Sequence, residues 1–144
     1  MTRKYDVLLA GYYGFGNLGD ELLVDACVKL LEKNGIPRER IAVLSADPDG
    51  TQKTLGTASY DRWKLNEIRS AMKDSNTMLL GGGGLFQDQT SLRSCFYYWS
   101  LVQIARICSV KSWAVGHSLG PFNTAMGPYF AKKAFGKCLY RNVR

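Results

Sequence analysis

Three glycine-rich stretches hold the residues best suited to chemistry. Gly81-Gly82-Gly83-Gly84 leads into Leu85-Phe86-Gln87-Asp88, with Thr90-Ser91 shortly after. Consecutive glycines accept positive φ and let a ligand approach backbone N–H groups. Asp88 is the only carboxylate in the span 75–144. An acid beside such a cradle has two readings: a general base toward a hydroxyl, or an acceptor for loop amides that holds the turn. Gly116-His117-Ser118-Leu119-Gly120-Pro121 carries the chain's one histidine. An imidazole titrates near neutral pH, so His117 suits an acid or a phosphate ligand, although a lone histidine is more often structural. Gly116 to Gly120 also fits a nucleophile elbow, but neither an acid nor a histidine follows Ser118 to complete a triad.

The remaining stretch, Gly11 to Gly19, spells a dinucleotide fingerprint in Gly14-Phe15-Gly16-Asn17-Leu18-Gly19. Three features oppose that reading. The glycine pattern starts beyond Gly11, where the preceding apolar run ends, so the turn is too long. Asp20 and Glu21 follow at once and would repel a pyrophosphate at the helix start. Asp47, the acid after the second apolar run, lies too far on to meet a ribose. No dinucleotide cofactor is expected. The stretch serves as a tight turn, compatible with lining a cleft.

These stretches need a scaffold, and the chain alternates strand and helix signals. Asp6 to Gly11 reads as a buried strand and Asp20 to Asn34 as an amphipathic helix, with Asp20 as its cap and Gly35 and Pro37 as its stop. A strand follows over 41–46, a turn at Asp47-Pro48-Asp49-Gly50, a helix over 65–74 and a strand over 76–80. Residues 81–84 read as a loop, 91–108 as a long helix capped by Thr90 or Ser91, 110–116 as a strand, 125–137 as a helix and 138–144 as a final strand. This predicts an α/β fold: a doubly wound parallel sheet of about five strands, covered on both faces, with all three glycine stretches at strand carboxyl ends.

Composition sets the limits. The chain has 144 residues and is 46% hydrophobic, which suits one domain with a real core. No apolar run approaches the roughly 18 residues of a membrane span. The short apolar stretch near the N-terminus falls short of a signal peptide, which predicts a cytoplasmic location. Cys27, Cys95, Cys108 and Cys138 lack metal-site spacing, so free thiols and no bound metal are expected. Residues 1–88 hold 11 Lys/Arg against 12 Asp/Glu, whereas 89–144 hold 8 Lys/Arg and no acid. The basic half could attract an anionic substrate or membrane surface, or its balancing acids could lie on a part of the protein outside this chain. Its cations are scattered without a nucleic-acid motif, so nucleic acid is not an expected partner.

Taken together, Gly11-Tyr-Tyr-Gly-Phe-Gly-Asn-Leu-Gly-Asp-Glu21, Asp61-Arg62-Trp63, Gly81-Gly-Gly-Gly-Leu-Phe-Gln-Asp88 with Thr90-Ser91, and Gly116-His-Ser-Leu-Gly-Pro121 resemble the polysaccharide pyruvyl transferase family, nearest its CsaB type. The resemblance covers essentially the whole chain. It implies a Rossmann-like N-terminal half, residues 1–144, of a GT-B-like two-domain architecture. The second domain of that architecture, which would hold the donor, is expected to lie outside this chain, and the chain alone is expected to be inactive. The implied reaction moves a pyruvyl group from phosphoenolpyruvate to two sugar hydroxyls, giving a cyclic ketal and phosphate. The acceptor is expected to be N-acetylmannosamine of a cell-wall polymer precursor that serves surface-layer anchoring, carried on a lipid and met at the inner face of the membrane. Phosphoenolpyruvate is the donor substrate, with no further cofactor. His117-Ser118 departs from the Gln-Gly pair of the family's third loop.

The candidate site takes Asp88 and His117 as catalytic residues. Gly14, Asn17, Asp20, Arg62, Gly82, Gly83, Gly84 and Ser91 are its substrate-binding residues. Two other classes share these features: a GT-B nucleotide-sugar glycosyltransferase, separable by ligand preference, and a non-catalytic anion- or membrane-binding domain, separable by its salt sensitivity.

Overall fold

The computed structural model describes residues 2–87 and 92–143. In chain order it contains β1 (Tyr5–Ala10), α1 (Leu18–Lys33), β2 (Ile41–Ser45), α2 (Pro48–Leu55), β3 (Ala58–Asp61), α3 (Leu65–Lys73), β4 (Ser75–Leu80), β5 (Gly83–Phe86), α4 (Arg93–Ile107), β6 (Lys111–Leu119), α5 (Met126–Phe135) and β7 (Tyr140–Val143). All seven strands join one sheet in the order β3-β2-β1-β4-β6-β5, with β7 also on β6. Every pairing is parallel. β4 pairs with residues 111–114 of β6 and β5 with residues 117–119, while β7 pairs along 113–117. A strand has only two edges, so β5 continues β4 after a break at Gly81-Gly82, and the sheet is six strands wide.

The chain winds outward from β1 through β2 to β3, then crosses back to β4 on the other side. The loops leaving β1 and β4 therefore part, which opens a crevice at their carboxyl ends. Helices pack on both faces. Leu8, Ala10, Ala42, Leu44, Met78 and Leu80 face α3, α4 and α5, while Val7, Leu9, Ile41 and Val43 face Val24 and Val28 of α1 and Leu55 of α2. Alternate residues thus enter opposite cores, which is why β1 and β2 read as continuous apolar runs. At the opposite end, Arg40 forks onto the Asp6 carboxylate and ties the starts of β1 and β2. That guanidinium holds the Asp6 carboxyl below the usual carboxylate range.

The structure departs from the sequence-based expectation in several places. The sheet has more than five strands, because β3 and β5 were not expected. Asp47-Pro48 starts a helix rather than a turn: the Asp47 side chain accepts from the Gly50 amide and Pro48 occupies the first turn. Helix α1 starts at Leu18 with Asn17, not Asp20, as its cap. Cover over β6 is one-sided: Ser112 and Ala114 are buried, but the alternating Trp113 and Val115 are 37% and 39% exposed. The described cysteines are all free thiols. Among the described residues no helix is long and apolar enough to cross a membrane.

One side chain closes the floor of the crevice. Tyr13 is 1% exposed. A methyl on Gly11 would lie 2.5 Å from its ring, and one on Gly81 would collide with its hydroxyl. That hydroxyl has no hydrogen-bond partner among the described residues, and burial raises its pKa strongly. Gly81→Ala should therefore destabilise the fold by about 1–3 kcal/mol in urea unfolding, as overpacking does. The cost should shrink in a Tyr13→Phe background, which removes the colliding atom. An equal cost in both backgrounds would show that this contact does not set the requirement for glycine.

Candidate functional site

The loop from Gly11 to Asn17 is shaped by packing and by one carboxylate. Gly14 has φ +84°, and a side chain there would strike Ser45 and the backbone of Ala46 and Asp47. Its amide donates to Glu21 Oε1 at 2.8 Å. The acid of the first helical turn thus occupies an amide that a phosphate would otherwise seek. The Asn17 side chain accepts from the Gly19 amide at 3.1 Å. With the cap supplied by Asn17, Asp20 turns into the crevice. Burial and the adjacent Glu21 carboxylate hold Asp20 above the usual carboxylate range.

Two cavities meet at Asp20. The larger, about 660 Å³, lies between α1 and the strand break, with Asn17, Gly19, Asp20, Gly81, Gly82 and Gly83 at its polar end and Leu23, Cys27, Leu79 and Val115 deeper in. The smaller, about 270 Å³, is lined by Tyr12, Asp20, Gly84, Leu85, Gln87, Ser94 and Tyr98. The four glycines divide their tasks. Gly81 makes room for Tyr13, and Gly82 lets its backbone approach the Gly116 carbonyl, where an added methyl would lie at 3.0 Å. Gly83 adopts φ +110°, and Gly84 faces open space. A carboxylate thus meets backbone beside a mostly apolar cavity with a polar end. That arrangement can bind hydroxyls and exchange a proton with them.

Of the residues singled out in the sequence, Asn17, Asp20, Gly82, Gly83 and Gly84 come together around these cavities, and Gly14 supports them from behind. Asp88 and Ser91 lie outside the described residues, as does the Thr90 cap. Arg62 and His117 line neither cavity.

Arg62 is 3% exposed. Its guanidinium donates to the Gly11 carbonyl at 2.7 Å and to the Tyr98 hydroxyl at 3.4 Å. The rings of Tyr97, Trp63 and Phe15 surround it at 4.3, 4.8 and 4.9 Å from their centroids. Nε has no partner among the described residues. Sequence reasoning missed this aromatic cluster. Its one linear trace is the density of rings beside functional residues, in Tyr12-Tyr13-Gly14-Phe15 and in Trp63 next to Arg62.

His117 lies within a strand rather than a loop. Gly116, at φ +68°, forms an irregularity in β6 that shifts the register and turns His117 into the core instead of outward. The ring is fully buried against Phe86 and Phe135. Nε2 lies 3.1 Å from the Leu80 carbonyl and donates to it, and Nδ1 has no partner among the described residues. Among those residues no group of three His, Cys, Asp or Glu side chains is placed to hold a metal.

Comparison with known proteins adds three findings. A family model described as polysaccharide pyruvyl transferase matches residues 17–144. No curated protein matches the chain. The solved structure of Citrobacter sp. triphenylmethane reductase superposes with a TM-score of 0.61 at 13% identity, covering 96% of this chain and 49% of that one. At that identity the likeness is one of fold, and this chain spans about half the length of its structural neighbour.

Burial pushes the His117 imidazole below its ordinary value of 6.5. The unfolded chain therefore takes up the proton at a higher pH than the native state does. Stability from this residue is fully present above about pH 6.5 and falls as the pH drops below it, by up to about 1.4 kcal/mol per pH unit, until the native group itself protonates. Urea midpoints measured from pH 8 to pH 5 should show this decline, and His117→Phe should flatten it. An unchanged slope in the variant would exclude His117 as its source.

Proposed function

The chain belongs to the polysaccharide pyruvyl transferase family, and on that premise we propose that it serves the transfer of a pyruvyl group from phosphoenolpyruvate to two hydroxyls of a sugar. The observation that carries this reading is the extent of the family match. It includes Asn17 to Asp20 and Gly81 to Gly84, the segments that converge on the crevice. In this proposal the crevice receives the acceptor, and the phosphoenolpyruvate is held by a second domain of the GT-B-like arrangement. The finer assignment is to the CsaB type, with N-acetylmannosamine of a cell-wall polymer precursor as acceptor. Lys132, Lys133 and Lys137, which share one surface hollow with Tyr129, would meet an anionic membrane that presents a lipid-linked acceptor.

The chemistry asks for one base and one acid. As the first acceptor hydroxyl attacks C2 of phosphoenolpyruvate, Asp88 takes the hydroxyl proton and a separate acid delivers a proton to C3, which becomes the methyl group. The second hydroxyl then forms its bond to C2 and passes its proton to the departing phosphate, which leaves with the C2–O bond electrons, and the ketal closes. The protein's contribution is to hold the two hydroxyls and C2 in reach of one another. Asp20, half-buried beside Gly83, would hold an acceptor hydroxyl.

The test is Asp88→Asn in the intact protein, assayed by phosphate release from phosphoenolpyruvate with a β-linked N-acetylmannosaminide. Loss of a general base should lower turnover by about 10²-fold or more while the protein stays folded. Release near the wild-type rate would remove Asp88 from this role.

A further inference from the structure

Four aromatic rings meet at the carboxyl end of the sheet, outside both cavities except at Tyr12. Tyr12 and Phe15, from the loop after β1, stack with centroids 4.0 Å apart and planes 10° from parallel. Phe15 meets Trp63, the second residue beyond β3, edge-on at 6.2 Å, and Trp63 leans on Tyr97 of α4 at 5.7 Å. Trp63 is 62% exposed, Tyr12 40% and Phe15 38%. A contiguous exposed aromatic surface is uncommon on a folded domain and marks a binding surface.

These rings are also fixed in place. The Arg62 guanidinium lies beneath Trp63 and Phe15. The Trp63 amide donates to Asp61 Oδ1 at 2.8 Å, and the Tyr97 hydroxyl donates to the Arg62 carbonyl at 3.0 Å. The outer faces are thereby held before any ligand arrives, which lowers the entropic cost of binding.

From this geometry we propose that Trp63, flanked by Phe15 and Tyr12, is a stacking platform for a pyranose ring of the acceptor, one unit away from the sugar that enters the crevice. The inference rests on the pyruvyl-transfer reading for the identity of its ligand. A pyranose offers a flat face of C–H groups bordered by hydroxyls, so it needs an apolar plane with a polar rim. The indole supplies the plane. Asp61, Lys64 and Glu67, close to Trp63 in sequence, supply the rim: Lys64 Nζ sits 3.9 Å from Asp61 and 3.7 Å from Glu67, and the Trp63 amide donates to Asp61. Tyr12 joins the platform to the crevice, because it also lines the smaller cavity with Asp20 and Gly84. An acceptor chain of two or more sugars would span both.

The experiment is a titration of the intact protein, without phosphoenolpyruvate, by a β-linked disaccharide with N-acetylmannosamine at its non-reducing end, followed by calorimetry. Trp63→Ala should weaken binding by about tenfold, the loss of one good stacking contact, and Trp63→Phe should restore most of it. In turnover assays the same variant should raise KM for the disaccharide and leave KM for phosphoenolpyruvate unchanged. Wild-type disaccharide affinity in Trp63→Ala would overturn the platform, as would a variant whose one change is altered self-association. A wild-type protein that binds the disaccharide through Trp63 but releases no phosphate would retain the platform and reject the transfer reading.

Discussion

A buried guanidinium organises this end of the molecule. Taking an arginine out of water is costly unless its hydrogen-bond donors and charge are satisfied. Among the described residues no carboxylate pairs with Arg62. The Gly11 carbonyl, the Tyr98 hydroxyl and the faces of Tyr97, Trp63 and Phe15 take that role. Its backbone is equally committed: the Arg62 amide donates to the Ser45 carbonyl at 3.0 Å, and its own carbonyl accepts from Tyr97. One residue thus ties together the ends of β1, β2 and β3 and the start of α4. The glycine loop, the aromatic cluster and the crevice wall take their relative positions from it.

The second half of the crevice depends on backbone rather than side chains. β4 stops at Leu80 and resumes as β5 at Gly83, and both segments pair with β6. Tyr13 fills the space beneath the break, and its fit requires the absence of side chains at Gly11 and Gly81. Glycine runs of this kind invite a purely ligand-centred interpretation. Here at least one of the four glycines serves packing, and those at the cavity walls serve access.

The α/β alternation and the placement of the first two glycine stretches at the ends of β1 and β4 were legible in the sequence, because strands buried on both faces read as apolar runs and each is followed by a break. Ala58–Asp61 was not, since an edge strand with half-buried residues has no apolar run to announce it. Asp47-Pro48 is ambiguous by nature: the residues that favour a turn also cap a helix. Gly116 marks an interruption, and only the neighbouring strands decide that it is a bulge within β6 rather than the end of a strand. For the site, Asn17, Asp20 and Gly82 to Gly84 could be named from their stretches. The cluster of Phe15, Trp63 and Tyr97 could not, because its members are distant in sequence and meet only through the order of the strands. Asp88 and Ser91, named from the same glycine stretch, fall outside the described residues.

The one-sided cover of β6 has a mechanical meaning. β1 and β2 sit between two packed cores, so they can open only when the domain opens as a whole. β6 carries helices on one face and half-exposed Trp113 and Val115 on the other, and β7 is held to the sheet through β6. Local opening free energy should therefore fall from the centre of the sheet toward this edge, and backbone amides there are expected to exchange with solvent without global unfolding. The crevice runs along the boundary between the stiff and the compliant halves. Its floor and the Arg62 cluster belong to the stiff side, while the wall formed by Val115 and Gly116 belongs to the side that can yield as a ligand enters.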